Sequence, residues 1–253
     1  MTMPMLADFA LRLACGLAAL LLFTPRRMVP PAFFRTHCLV ILGLLVLAAL
    51  DSSRLGIRGP GLIALTVAAG LSYLAAVTWG LGLPRVAVPV TVLVAAVGAG
   101  VMIEASRSVD ARVWVLNGAG RLASAFLMGS TLTAMLLGHH YLTAPAMSIE
   151  PLKRFVRGMA WALGFRAVLA GIGLGVWLTM AASSVAPTAS PLFLSVRWGM
   201  GILGPAVATV LTWKTVEMRS TQSATGILYI AMTLVLFGEL TAMVLSREAG
   251  IIL

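Results

Sequence analysis

Residues 39–83 read LVILGLLVLAAL, then DSSRLGIRGP, then GLIALTVAAGLSYLAAVTWGLGL, and the alternation of these three blocks decides the fold. Neither outer block, 39–50 or 61–83, contains a charged residue. The block between them holds Asp51, Arg54, Arg58 and Pro60. A helix rises about 1.5 Å per residue, so about 20 apolar residues cross the hydrocarbon core of a bilayer. A charged, proline-ended turn between two such stretches therefore reads as a loop joining two membrane crossings. A β-barrel would instead show segments of about ten residues with alternating polarity, and these blocks do not alternate.

The same reading extends along the chain in both directions. Apolar stretches fall at 6–24, 33–50, 62–83, 86–105, 113–138, 155–181, 191–213 and 224–246. The breaks carry the expected punctuation: Pro25, Arg26, Arg27, Pro30 and Pro31 after the first stretch, Pro84 and Arg85 after the third, and Arg107, Asp110 and Arg112 after the fourth. The longest loop, about 138–154, holds Pro145 and Pro151, and later breaks fall near 183–190 and 214–223. The 253-residue chain is 60% hydrophobic and 10% charged, whereas soluble domains carry about a quarter charged residues. So little charge cannot cover a globular surface. The sequence predicts an all-α, polytopic membrane protein of eight transmembrane helices, with residues 1–253 forming a single transmembrane domain.

The net charge of +10 does not point to nucleic acid, because most Lys and Arg sit in short loops between apolar stretches, where they act as topology signals. Loops after spans one, three, five and seven hold Arg26, Arg27, Arg35, Arg85, Lys153, Arg154, Lys214 and Arg219, against Arg54, Arg58, Arg107, Arg112 and Arg247 on the other side. That eight-to-five bias predicts a cell (inner) membrane protein with both termini outside the cytoplasm. Asp8 and Arg12 interrupt the N-terminal stretch, which reads as a first span rather than a cleaved signal. Cys15 and Cys38 differ in depth and predict no disulfide. Arg12-Leu13-Ala14 is echoed by Arg121-Leu122-Ala123, which would suit a four-plus-four repeat of 1–110 and 111–253.

Charges at membrane depth are the candidate chemistry, because each costs at least ~2.5 kcal/mol to insert. Counted at the helical rise from the non-cytoplasmic side, Arg197 lies roughly 9 Å deep, Arg121 and Glu239 roughly 12 Å, and Arg166 roughly 20 Å. Glu104 closes span four near the same side. Together, Arg121, Arg166, Arg197, Glu239 and Glu104 form an expected intramembrane cluster with one positive charge in excess, suited to a lipid head group, a haem propionate or a carboxylate. The plainer alternative pairs Arg197 with Glu239 and lets Arg121 reach toward water.

Span five carries a second candidate. Arg121 and His139 are five helical turns apart and share a face with Asn117, Ser124, Met128, Thr131 and Met135. His139 and His140 end this polar stripe, and His37 is expected on the same membrane side. The cofactor-binding candidates are thus His37, His139, His140 and Arg121. They would serve haem b, with one of the three histidines on the iron, or a quinone. Their interfacial placement favours the plainer reading of exposed histidines. Ser223 is an expected cap of span eight, and Gly204-Pro205 is expected to interrupt span seven.

The chain lacks a Walker A sequence, HExxH, Gly-x-Ser-x-Gly and Cys-x-x-Cys-His. The first expectation is therefore a membrane subunit of a respiratory or electron-transfer complex, embedded in lipid beside other membrane subunits. The alternatives are a small-solute or ion transporter using Arg166, Arg197 and Glu239, and a membrane enzyme whose arginines hold a lipid-borne phosphate.

Overall fold

A computed structural model describes residues 3–143, 147–181 and 191–253, and all regular structure among them is helical. The helices are α1 (Met5–Phe23), α2 (Pro31–Arg54), α3 (Pro60–Gly80), α4 (Pro84–Glu104), α5 (Ala111–Thr143), α6 (Glu150–Ala181), α7 (Pro191–Trp198), α8 (Gly204–Glu217) and α9 (Thr221–Ala249). Eight helical stretches are long and apolar enough to cross a membrane, with α7 and α8 belonging to one of them. The protein is a multi-pass helical membrane protein whose exterior suits lipid. Pro145 and the break at 183–190 lie outside the described residues.

Most helices run past the apolar stretches that predict them. Polar residues that end hydrophobicity do not end a helix, so α2 continues through Asp51 to Arg54, and α6 begins at Glu150. Pro151 is tolerated at the start of α6 because the first turn needs no N–H bond. Span seven is interrupted as expected, but by a π turn, Gly199–Leu203, just ahead of Gly204-Pro205. Pro205 has no N–H to give the carbonyl four residues back, and the Gly204 N–H bonds the Gly199 carbonyl five residues back. One expectation fails: Ser223 does not cap the last helix. That helix begins earlier, at Thr221, after Ser220, whose hydroxyl donates to Ser223 Oγ at 2.9 Å and caps no backbone N–H.

The chain divides into two compact units, Met1–Arg107 and Ser108–Leu253. In the first, α1 packs on α2 and α4, and α3 on α2 and α4. Residues from Ala7 to Leu21 are buried nearly all round α1, which is lined by Ala7, Ala10, Ala14, Gly16 and Ala18. An ion pair closes within the helix: Arg12 Nη2 and Nε donate to the two oxygens of Asp8 at 2.8 and 3.1 Å. The Ala7 N–H, at the start of α1, is satisfied by Asp51 Oδ2 at 3.0 Å. Phe34 stacks on Trp79 with ring centroids 4.3 Å apart, and both cysteines are free thiols.

The second unit has the same neighbour pattern: α5 packs on α6 and α9, and α8 on α6 and α9, with α7 also on α9. Short antiparallel loops impose this wiring on four spans whether or not they arose by duplication. The polar stripe of α5 turns inward at its centre, where Ser124, Met128 and Thr131 have no exposed surface. Past α9 the backbone reverses at Gly250, φ +70°. Ile252 N–H then donates to Asn117 Oδ1 at 2.9 Å, and Leu253 N–H to Ser246 Oγ at 3.0 Å. Ile252 fills space left by the missing side chains of Gly120 and Gly173.

Gly201 of the π turn meets Gly238 of α9 backbone to backbone, an approach only small residues permit. A Cβ on Gly238 would collide with Gly201 main-chain atoms. Gly238→Val is therefore expected to destabilise the protein by more than the ~1–3 kcal/mol of ordinary overpacking. Thermal unfolding in mild detergent checks this; a melting temperature equal to that of the parent would refute the contact.

A buried arginine–glutamate–arginine cluster

Three helices of the second unit bring one charged residue each to a single point: Arg166 from α6, Arg197 from α7 and Glu239 from α9. Arg166 Nε donates to Glu239 Oε1 at 3.0 Å and lies 3.3 Å from Oε2, while its Nη2 donates to Oε2 at 3.2 Å. Arg197 Nη1 reaches Oε1 from the other side at 3.3 Å. The Ser124 hydroxyl of α5 also bonds this carboxylate. The Leu253 carbonyl accepts from Arg166 Nη2 at 3.5 Å. All three charged side chains are at most 1% exposed.

Local structure explains the convergence. The Gly201–Gly238 contact draws the π turn against α9 one residue from Glu239. A Cβ on Gly201 would stand 2.5 Å from Arg197 Nη1, so glycine there also leaves the guanidinium its path. Depths estimated along single helices differ by roughly 11 Å between Arg166 and Arg197, yet their head groups share one carboxylate. Long arginine arms run along the helix axis, and neighbouring helices need not end at one level.

The three side chains, two guanidinium groups and one carboxylate, carry a formal charge of +1 between them. Arg166 Nη1, Arg197 Nε and Arg197 Nη2 are buried without a hydrogen-bond partner among the described residues. Buried donors left unbonded cost about 1–3 kcal/mol each, more when charged. Native structures carry few of them, so each calls for a reason. An oxyanion placed among these nitrogens would gain charge-assisted bonds from planar groups that suit carboxylate and phosphate.

The other expected residues are placed as follows. Arg121 is half-buried on α5, three residues before Ser124. Glu104 belongs to the first unit and is exposed, with its carboxylate 3.3 Å from Arg107 Nε. His139 is exposed, its Nδ1 3.4 Å from the Tyr229 hydroxyl, and His140 is half-buried. His37, expected at the interface with an exposed ring, is instead 2% exposed. Its Nδ1 lies 2.7 Å from the Phe33 carbonyl, which folds the ring back along α2 against the Phe33 ring. His37 Nε2 is buried and unbonded. Among the described residues, no three His, Cys, Asp or Glu side chains gather as a metal site would require.

Sequence reasoning included Ser124 only as part of the stripe and missed Gly201, Gly238 and the Leu253 carbonyl as parts of the site. Small residues at a helix crossing were the one available signal. No family model, curated protein or solved structure matches this chain.

Glu239→Gln removes the carboxylate that both arginines bond, so a loss of about 3–5 kcal/mol is expected. Arg197→Met leaves a one-to-one Arg166–Glu239 pair and is expected to cost less. Melting temperatures of the two variants in the same detergent test the order, and the reverse order would show that the charges are not arranged as described.

Proposed function

We propose that this protein is an integral membrane carrier for a small oxyanion, a carboxylate or phosphate-type solute, which binds at Arg166 and Arg197. The observation that carries this reading is the excess of guanidinium over carboxylate side chains, with three guanidinium nitrogens that have no hydrogen-bond partner among the described residues, at a fully buried point. Intramembrane charges of this kind are costly and mark substrate pathways. Glu239 holds the arginines in place without neutralising both, and a bound anion would supply the missing charge. The π turn beside Arg197 supports the same reading, because interrupted spans recur at transporter binding sites. In this reading the chain lies in the cell (inner) membrane with both termini outside the cytoplasm, as the loop arginines suggest.

Purified protein in liposomes is expected to move at least one of three probe anions: phosphate, acetate or succinate. Arg197→Lys keeps the charge but loses the planar fork, and its rate is expected to fall roughly tenfold or more. Failure to move any probe, or an unchanged rate in Arg197→Lys, would overturn the carrier.

The histidines favour a second reading: a membrane subunit of an electron-transfer complex, associated with other membrane subunits and holding haem b or a quinone. His37 has one ring nitrogen on a backbone carbonyl and the other unbonded, as an iron ligand fixed by a hydrogen bond would. The His139–Tyr229 pair offers groups able to bond a quinone. A reduced-minus-oxidised spectrum of protein from its native membrane distinguishes the cofactors. A b-type band abolished by His37→Ala supports the haem form; no band, or a band unchanged in that variant, removes His37 as its ligand.

A further inference from the structure

The ends of α2 and α4 and the start of α3, all in the first unit, enclose a cavity of about 560 Å³. Ligand pockets commonly span about 300–1,000 Å³. Leu62, Leu65, Val97 and Val101 make its wall apolar. Gly61 and Gly100 also line it, and a Cβ on either would meet no atom within 4 Å. No neighbouring side chain occupies the space beside either glycine.

Charge is confined to residues at the span ends. Arg58 precedes Pro60 at the start of α3, Glu104 is the last residue of α4, and Arg107 follows it. Glu104 and Arg107 engage one another at 3.3 Å. Arg58 forms no hydrogen bond or ion pair with any described residue. Two guanidinium groups and one carboxylate leave this end positive, while the wall beyond it is apolar.

A bilayer offers one abundant molecule with that polarity. We propose that the cavity binds an anionic lipid, with an acyl chain along Leu62, Leu65, Val97 and Val101 and the phosphate at Arg58 and Arg107. Arginine bonds phosphate bidentately, and anionic head groups attract basic residues at membrane depth boundaries. Water would gain little from the apolar wall. An uncharged isoprenoid or quinone would fill the wall but leave Arg58 unbonded. The site lies wholly in the first unit and is independent of the arginine cluster.

Delipidated full-length protein in mild detergent tests the proposal by thermal unfolding. The additions are phosphatidylglycerol, phosphatidylcholine with the same acyl chains, inorganic phosphate, or a neutral ubiquinone analogue. Phosphatidylglycerol is expected to stabilise the protein and to bind at least about tenfold more tightly than phosphatidylcholine. Arg58→Gln should remove that preference. Gly100→Leu and Gly61→Leu each place a side chain in the open space and should abolish the effect of phosphatidylglycerol while leaving the helical circular dichroism unchanged. Equal effects of the two lipids overturn the head-group contact. An equal effect of inorganic phosphate makes this a free-anion site, and a larger effect of the ubiquinone analogue makes it a quinone site; either overturns the proposal. Phosphatidylglycerol binding that survives both glycine substitutions overturns the location.

Discussion

The Glu239 carboxylate is buried among the guanidinium groups of Arg166 and Arg197, and the second unit is arranged to hold them there. A carboxylate or guanidinium taken from water loses several kcal/mol of hydration even after relaxation. Recovering it requires short, well-directed bonds, which in turn require that α6, α7 and α9 stay in register. Glu239 accepts from Arg166 on two oxygens and from Arg197 on one. Moving any of the three helices by a few ångströms would break several of these bonds together. The cluster thus works as a geometric constraint, and the surrounding small residues are what allow the constraint to be met.

The neighbouring structure follows from this. Gly201 and Gly238 bring α9 against the π turn, closer than any side chain would allow. Pro205 favours the local change of helical pitch that puts those glycines in contact, and the same change displaces Arg197 from the face a continuous α-helix would give it. On the opposite side, residues 250–253 fold back, anchored by Asn117 and Ser246 and seated over Gly120 and Gly173. That brings the Leu253 carbonyl to Arg166. Asn117, one turn before Arg121 on the stripe of α5, holds the returning chain.

Hydropathy made the eight crossings legible because the cost of exposing polar groups to lipid acts on every residue of a span, and local composition records it. Burial of Arg166 and Glu239 was legible for the same reason. Their meeting was not, because depth along one helix says nothing of which helices are neighbours, and separations of 73 and 42 residues join the three partners. Gly204-Pro205 announced an interruption but not its form, since a proline removes a donor without dictating which carbonyl the next N–H will choose. His37 defeated the depth argument differently. Position near a helix start suggested water, yet a hydrogen bond to Phe33 one turn earlier and contact with that ring hold the imidazole inside. The cavity at Arg58 was invisible because it depends on what Gly61 and Gly100 leave empty.

The first unit supplies an internal comparison for the buried charges of the second. Arg12 is nearly as inaccessible as Arg166, but its partner Asp8 lies four residues earlier on the same helix and engages it through two bonds. Such a pair is neutral, and i, i+4 partners meet as the helix itself forms. If burying an arginine served only to knit helices together, the second unit had the same solution open to it. It instead holds two arginines on one carboxylate drawn from three helices, and leaves three donor nitrogens without a partner among the described residues. That is a poor design for stability alone, since an apolar core of equal volume is often as stable or more so. The excess of guanidinium groups is intelligible when an anion completes the site, which is the arrangement proposed for Arg166 and Arg197.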